Sequence, residues 1–353
     1  MDIPAILPAG FAAQEWPARR AQLLKLFGKE VYGVTPELSG VECRCQLEEE
    51  LVLEDGRRRE GHRLFFTKDG HTCDMAFALY LPAQAAGPLP CVLVIDSFGR
   101  NRDVPRSAAR TEQLAPYREV TARGWALAHV HVDDLCLDEQ DRWQQDLLRL
   151  LPRRGESGWG AIGVWAWGAS RVIDVLCADA RFDGKKIAVA GCSRSGKAAL
   201  WCGAQDERVA VTISNVSGCT GAAVTRGKTG EHIRDITGTF PHWLCPKYAS
   251  YAEREEQLPL DQHMLLALCA PRPLYVSSAS EDSWADPAKE FEACVLAGEA
   301  YRLLGAKGLC SESFPPVDTP LLDGDIAYHV RTGAHGCRLY DWEQYLAFLA
   351  RYF

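Results

Sequence analysis

The spacing of apolar residues changes several times along the chain, and each change marks an element. Leu23, Leu24 and Phe27 fall on one face at helical spacing, so Trp16 to Tyr32 is expected to be a helix. From Val41 the pattern turns to strands. Arg63–Thr67 and Cys73–Leu81 are two β-rich runs divided by a turn at Asp69-Gly70. Alternation follows: strand Cys91–Asp96, strand Ala126–Val132, helix Gly160–Cys177, strand Lys186–Ala190, a helix from Lys197, strand Val209–Ser214, strand Pro273–Ser278 and a last helix near Trp342–Tyr352. Strands that alternate with helices predict a mostly parallel central sheet flanked by helices on both faces.

An N-terminal helix and antiparallel β opening, followed by parallel β/α units, is the layout of an α/β-hydrolase fold. No internal repeat or low-complexity linker interrupts it. Residues 1–353 therefore read as one α/β domain, with 1–85 a helix and β extension and 86–353 the hydrolase core.

Composition narrows the partners. With 353 residues, 47% hydrophobic, the chain can bury a large core. A net charge of −8 argues against nucleic acid or an anionic membrane as partner. No apolar run approaches the length of a transmembrane helix. The start, Met1-Asp2-Ile3-Pro4, has no basic region ahead of an apolar stretch, so a cytoplasmic protein without a signal peptide is expected. Fourteen cysteines form no C-x-x-C pair and are expected to be free thiols, with neither metal nor cofactor held.

Candidate chemistry centres on Gly191-Cys192-Ser193-Arg194-Ser195-Gly196-Lys197, between a strand and a helix. As G-x-x-x-x-G-K it could cradle a phosphate; as G-x-S-x-x-G it could hold up a nucleophilic serine. A phosphate loop places Ser or Thr after the lysine to ligate magnesium, and Ala198 offers no oxygen. The serine reading needs a base and an acid, in the order Ser, acid, His. The turn after Ser278 offers Glu281, Asp282 and Asp286. A late loop offers His329 and His335. Asp282 falls just past the strand end. His335 lies between glycine-rich turns before the last helix, whereas His329 sits on an alternating apolar run and reads as structural. Each feature has a bland counterpart: such a serine can be a helix N-cap, and such an aspartate plain turn chemistry. The three together, in order, favour a Ser193–Asp282–His335 triad.

From the elbow onward the chain resembles the glucuronoyl esterases, carbohydrate esterase family 15. The resemblance rests on Gly191–Lys197, Ser217–Ala223, Phe240–Trp243, Leu258–His263, Ala270–Pro273, Trp284–Pro287 and Gly333–His335, in that order. It implies Ser193 as nucleophile, His335 as base and Arg194 as oxyanion donor through its backbone N–H and guanidinium. Donors of that kind are worth about 3–4 kcal/mol in the transition state. It also implies that Lys197, Glu231 and Trp284 bind the uronate sugar. Many relatives carry the catalytic Glu at the position aligned with Val216, and valine cannot orient a histidine. The acid is then expected from Asp282. Fungal relatives tie the regions of Cys192 and Cys337 by a disulfide; Cys337 is one residue off, and both are expected here as thiols.

The implied reaction is hydrolysis of esters of (4-O-methyl-)glucuronic acid, as in lignin–carbohydrate links on xylan, through an acyl-enzyme. The substrate would be a small uronate ester or an oligosaccharide. An acetyl (xylan) esterase on the same fold is the nearer alternative. A non-catalytic carbohydrate-binding relative is the more distant one.

Overall fold

A computed structural model describes residues 2–97, 115–145 and 147–353. Among these residues nine strands form one sheet in the order β1-β2-β3-β5-β4-β6-β7-β8-β9. β1 (Glu42–Val52), β2 (Arg58–Lys68) and β3 (His71–Leu81) run antiparallel, and β3 joins β5 (Ala126–His131) antiparallel. β5, β4 (Leu89–Asp96), β6 (Phe182–Cys192), β7 (Val211–Asn215), β8 (Leu274–Ala279) and β9 (Ile326–Arg331) are parallel. The antiparallel opening and parallel body match the expected layout.

The parallel strands are legible as apolar runs because both their faces are covered. In β4, Leu93 and Ile95 point into the larger core, while Val92 and Val94 point into a second core on the opposite face. The larger core takes buried residues from the long helices α1 (Trp16–Phe27), α2 (Ala161–Ala178), α3 (Arg194–Gln205) and α4 (Pro287–Leu303). The second is closed by α5 (Leu339–Leu349) through Trp342, Tyr345, Leu346 and Phe348.

Three details depart from the sequence reading. By length and composition α2 is apolar enough to cross a membrane, yet 67% of it is buried within this fold, which makes it a core helix. The helix expected over Trp16–Tyr32 changes hydrogen-bonding pattern after Phe27, where Gly28–Tyr32 forms a wider π turn. α4 has no counterpart in the sequence reading. Its buried positions, from Glu290 through Ala297 to Tyr301, include small and charged residues, which blurs the apolar face.

The chain runs from β4 to β5 on one side, then crosses back to β6 on the other. The reversal puts the end of β6 at the switch point of the sheet, where open α/β sheets place their ligands. α3 starts there. The N-terminal extension grips it from behind: Tyr32 stacks on Trp201 at 4.8 Å, and the Tyr32 hydroxyl donates to the Thr220 carbonyl.

Candidate active site

The turn between β6 and α3 is an elbow that few residues could form. Ser193 has φ +60° and ψ −123°, a strained conformation for a residue with a side chain. Gly191 has to be glycine, since a Cβ there would lie 2.1 Å from the Ser195 carbonyl oxygen. A Cβ on Gly196 would approach the Asn215 carbonyl to 3.1 Å. Ser193 N–H donates to that same carbonyl at 2.8 Å, which ties the elbow to the end of β7. The Ser193 side chain makes no helix-capping bond, so the bland N-cap role does not describe it. Ser195 does the local work: its hydroxyl accepts from Cys192 N–H at 3.0 Å and donates to Cys192 C=O at 2.8 Å.

Asp282 and His335 meet beside this elbow's edge of the sheet, since β6, β8 and β9 are parallel and each delivers its following loop there. His335 Nδ1 lies 2.6 Å from Asp282 Oδ2. A carboxylate only accepts, so Nδ1 carries the proton and Nε2 is left as the basic nitrogen. Asp282 is buried, and its other oxygen accepts from Ala285 N–H at 3.2 Å. The imidazole is 43% exposed, open to a substrate. The neighbouring acids are engaged elsewhere. Asp286 caps α4 and accepts from Thr229 N–H at 2.9 Å. Glu281 is exposed. His329 is fully buried on β9, bonded to Tyr275 and Asp341 at 2.8 Å each.

Val216 occupies the turn after β7, buried, with φ +41°. That left-handed conformation is a genuine outlier for a β-branched residue. Its N–H donates to the Ser277 carbonyl at 2.7 Å, which holds it at the end of β8's neighbour strand.

Arg194 opens α3, so its backbone N–H is among the unpaired donors of a helix N-terminus. Its guanidinium is boxed in by a group the sequence reading missed. Nη1 pairs with Asp138 Oδ2, and the guanidinium carbon lies 4.6 Å from the Trp243 ring centre and 5.3 Å from that of Phe240. Trp243 Nε1 and His242 Nε2 donate to the second Asp138 oxygen at 2.6 and 2.9 Å. Burial pushes the Asp138 carboxyl up, but these donors and the Arg194 charge outweigh it and hold the group below its ordinary value. Among the described residues Arg194 Nε has no acceptor, although it is buried. Phe240–Trp243 was visible as a motif; Asp138 lies in a polar stretch with nothing local to single it out.

Lys197 is buried, and its ammonium donates to the carbonyls of Ser217 at 2.5 Å and Cys219 at 2.6 Å. One donor of three remains. Burial lowers its pKa, opposed by the charge of Glu231. Glu231 is half-buried, and its N–H is bonded to the Trp284 carbonyl at 2.9 Å. Trp284 is 56% exposed. The fold thus brings Lys197 near Glu231, and Glu231 beside Trp284. Glu290, from α4, accepts from Gly218 N–H at 2.8 Å and Ser278 Oγ at 2.6 Å. It joins the turn after β7 to the end of β8. Burial raises its carboxyl to about 7.

Cys192 and Cys337 are both buried free thiols, held protonated by burial. No cluster of metal-ligating side chains occurs among the described residues.

Comparison with known proteins gives the family. A family model for fungal glucuronyl esterases matches residues 65–305. The carbohydrate esterase MZ0003 of an unknown prokaryotic organism is 33% identical over 96% of this chain and 85% of its own length. A 4-O-methyl-glucuronoyl methylesterase of Podospora anserina is 30% identical over 63% of this chain, which spans 45% of that relative. The glucuronoyl esterase structure from Solibacter usitatus superposes with a TM-score of 0.90 at 34% identity, over 99% of this chain and 97% of that one. The catalytic domain of the Hypocrea jecorina enzyme, 22% identical with a TM-score of 0.73 over 99% and 88%, shares the fold. The chain belongs to the glucuronoyl esterases of carbohydrate esterase family 15, and is a serine carboxylic-ester hydrolase of the α/β-hydrolase fold.

Proposed function

We propose that this esterase cleaves esters of glucuronic or 4-O-methyl-glucuronic acid with Ser193, His335 and Asp282 as its triad and Arg194 as its oxyanion donor. The observation that carries this reading is the 2.6 Å bond from His335 Nδ1 to Asp282, at the sheet edge where the strained elbow raises Ser193. Ser193 Oγ attacks the ester carbonyl while His335 Nε2 takes its proton. The carbonyl oxygen becomes an oxyanion, received by the Arg194 backbone N–H and its guanidinium. Collapse of the tetrahedral intermediate breaks the ester C–O bond, and His335 returns the proton to the departing alcohol. Water repeats the two steps on the acyl-serine and frees the uronic acid. Asp282 holds the imidazole in the correct tautomer and steadies the imidazolium. Lys197 and Glu231 are suited to sugar hydroxyls, and the open Trp284 indole to an apolar ring face.

The test is turnover of a benzyl or methyl glucuronate ester by the wild type and by Ser193→Ala, beside an aryl acetate. The expected result is a wild type that prefers the uronate ester and a variant slower by about a thousandfold or more. Preference for the acetate would make it an acetyl esterase. Turnover unaffected by Ser193→Ala would sink the assignment.

A further inference from the structure

We propose that Arg331, a buried residue that touches no substrate, is the positioning residue for the catalytic imidazole. This rests on the esterase reading above. His335 rides on a loop with little stiffness of its own: Gly333 and Gly336 flank it with φ +108° and +128°, and its side chain is 43% exposed. Asp282 holds only the tip of the ring. The base of the loop is held by one guanidinium. Arg331 Nη2 donates to the carbonyls of both neighbours of His335, at 2.9 Å to Ala334 and also to Gly336, while Nη1 donates to Thr332 at 3.0 Å.

That fork is itself fixed. Arg331 Nε donates to Asp341 Oδ2 at 2.9 Å, and the same oxygen accepts from Arg338 N–H at 2.7 Å. Asp341 Oδ1 accepts from His329 Nε2, whose other nitrogen meets the Tyr275 hydroxyl, both at 2.8 Å. Arg331, Asp341 and His329 are almost wholly buried. A planar fork carried at the end of a sheet strand, bonded to a helix carboxylate at one end and to carbonyls on both sides of a catalytic residue at the other, fixes that residue's backbone in place and angle. The front of the loop has other ties, from Gly333 N–H to Ser280 Oγ at 3.1 Å and from Thr332 to Asp318. Among the side-chain hydrogen bonds of the described residues, the Gly336 carbonyl is taken only by Arg331.

The test uses Arg331→Lys, which keeps a cation for Asp341 but whose single ammonium cannot span that carboxylate and both flanking carbonyls. The rate of Ser193 labelling by a fluorophosphonate and the kcat for the wild type's best ester are expected to fall by about tenfold to a hundredfold, with KM within about twofold. In a His335→Ala background, Arg331→Lys should add no further loss on an activated aryl ester, because Arg331 acts through His335. Equal losses in both backgrounds, or undiminished labelling in Arg331→Lys, would overturn the proposal while leaving the esterase reading intact. A wild type in which Ser193 is not labelled overturns both. If Arg331→Lys folds poorly, the double variant Arg331→Met with Asp341→Leu removes both buried charges, and the same kcat loss at unchanged KM is expected.

Discussion

Ser193 keeps φ +60° because its surroundings leave it nothing else. Its N–H is committed to Asn215, a Cβ on Gly191 would collide with the Ser195 carbonyl and one on Gly196 would crowd that of Asn215, and Ser195 closes the turn on Cys192. The strain presents the hydroxyl rather than spending it on a helix cap. At this scale the acid is the sharpest question, and the geometry separates the candidates. Asp282→Asn can present an NH2 donor where the carboxylate accepted the 2.6 Å bond, and so lets the imidazole take the wrong tautomer. Its kcat is expected to fall by about a thousandfold or more, as a triad acid's does. Glu281→Gln, on an exposed side chain, is expected to stay within about twofold. Asp286→Asn should lower thermal stability through the α4 cap more than it lowers kcat. Comparable small kcat losses in all three would refute the assignment.

Elements explain which parts could be read in advance. β4, β6 and β8 show as apolar runs because helices cover both faces, and the order elbow, acid turn, His loop follows from β6, β8 and the alternating run around His329 that forms β9. α4 escaped because its buried side chains include alanines, a cysteine and a glutamate, so no apolar stripe stands out. Asp138 and Arg331 escaped for another reason. Their roles exist only once the fold has brought residue 138 against 194 and 243, and residue 331 beneath 334 and 336. α4 also carries a titration. Burial lifts Glu290 to about 7 from 4.5, against the hydrogen bonds from Ser278 and Gly218. The unfolded chain therefore releases this proton first. The group's contribution to stability is complete below about pH 4.5 and is lost as pH rises through about 7. The loss is on the order of 3 kcal/mol. Urea unfolding across that range should show a decline in the wild type that Glu290→Gln lacks. The same decline in both would place the titration elsewhere.

The whole molecule holds its site without covalent ties. All fourteen cysteines are free, and Cys192 and Cys337 sit in the second core as thiols. Scanning calorimetry with and without dithiothreitol is expected to give the same Tm; a drop on reduction would reveal a bridge. What replaces such a tie is packing from the N-terminal extension onto α3 and the buried Arg331–Asp341–His329 network under the His335 loop. Sheet order has one more consequence. β7 and β8 are neighbours in register, with Asn215 beside Ser277, so the turns carrying Val216 and Asp282 leave adjacent strands about 5 Å apart. Both turns open at the same edge of the sheet, and the carboxylate of the one after β8 meets the His335 imidazole. Beside it the left-handed turn after β7 holds the apolar Val216, so the His335 imidazole takes its carboxylate one strand further along the sheet.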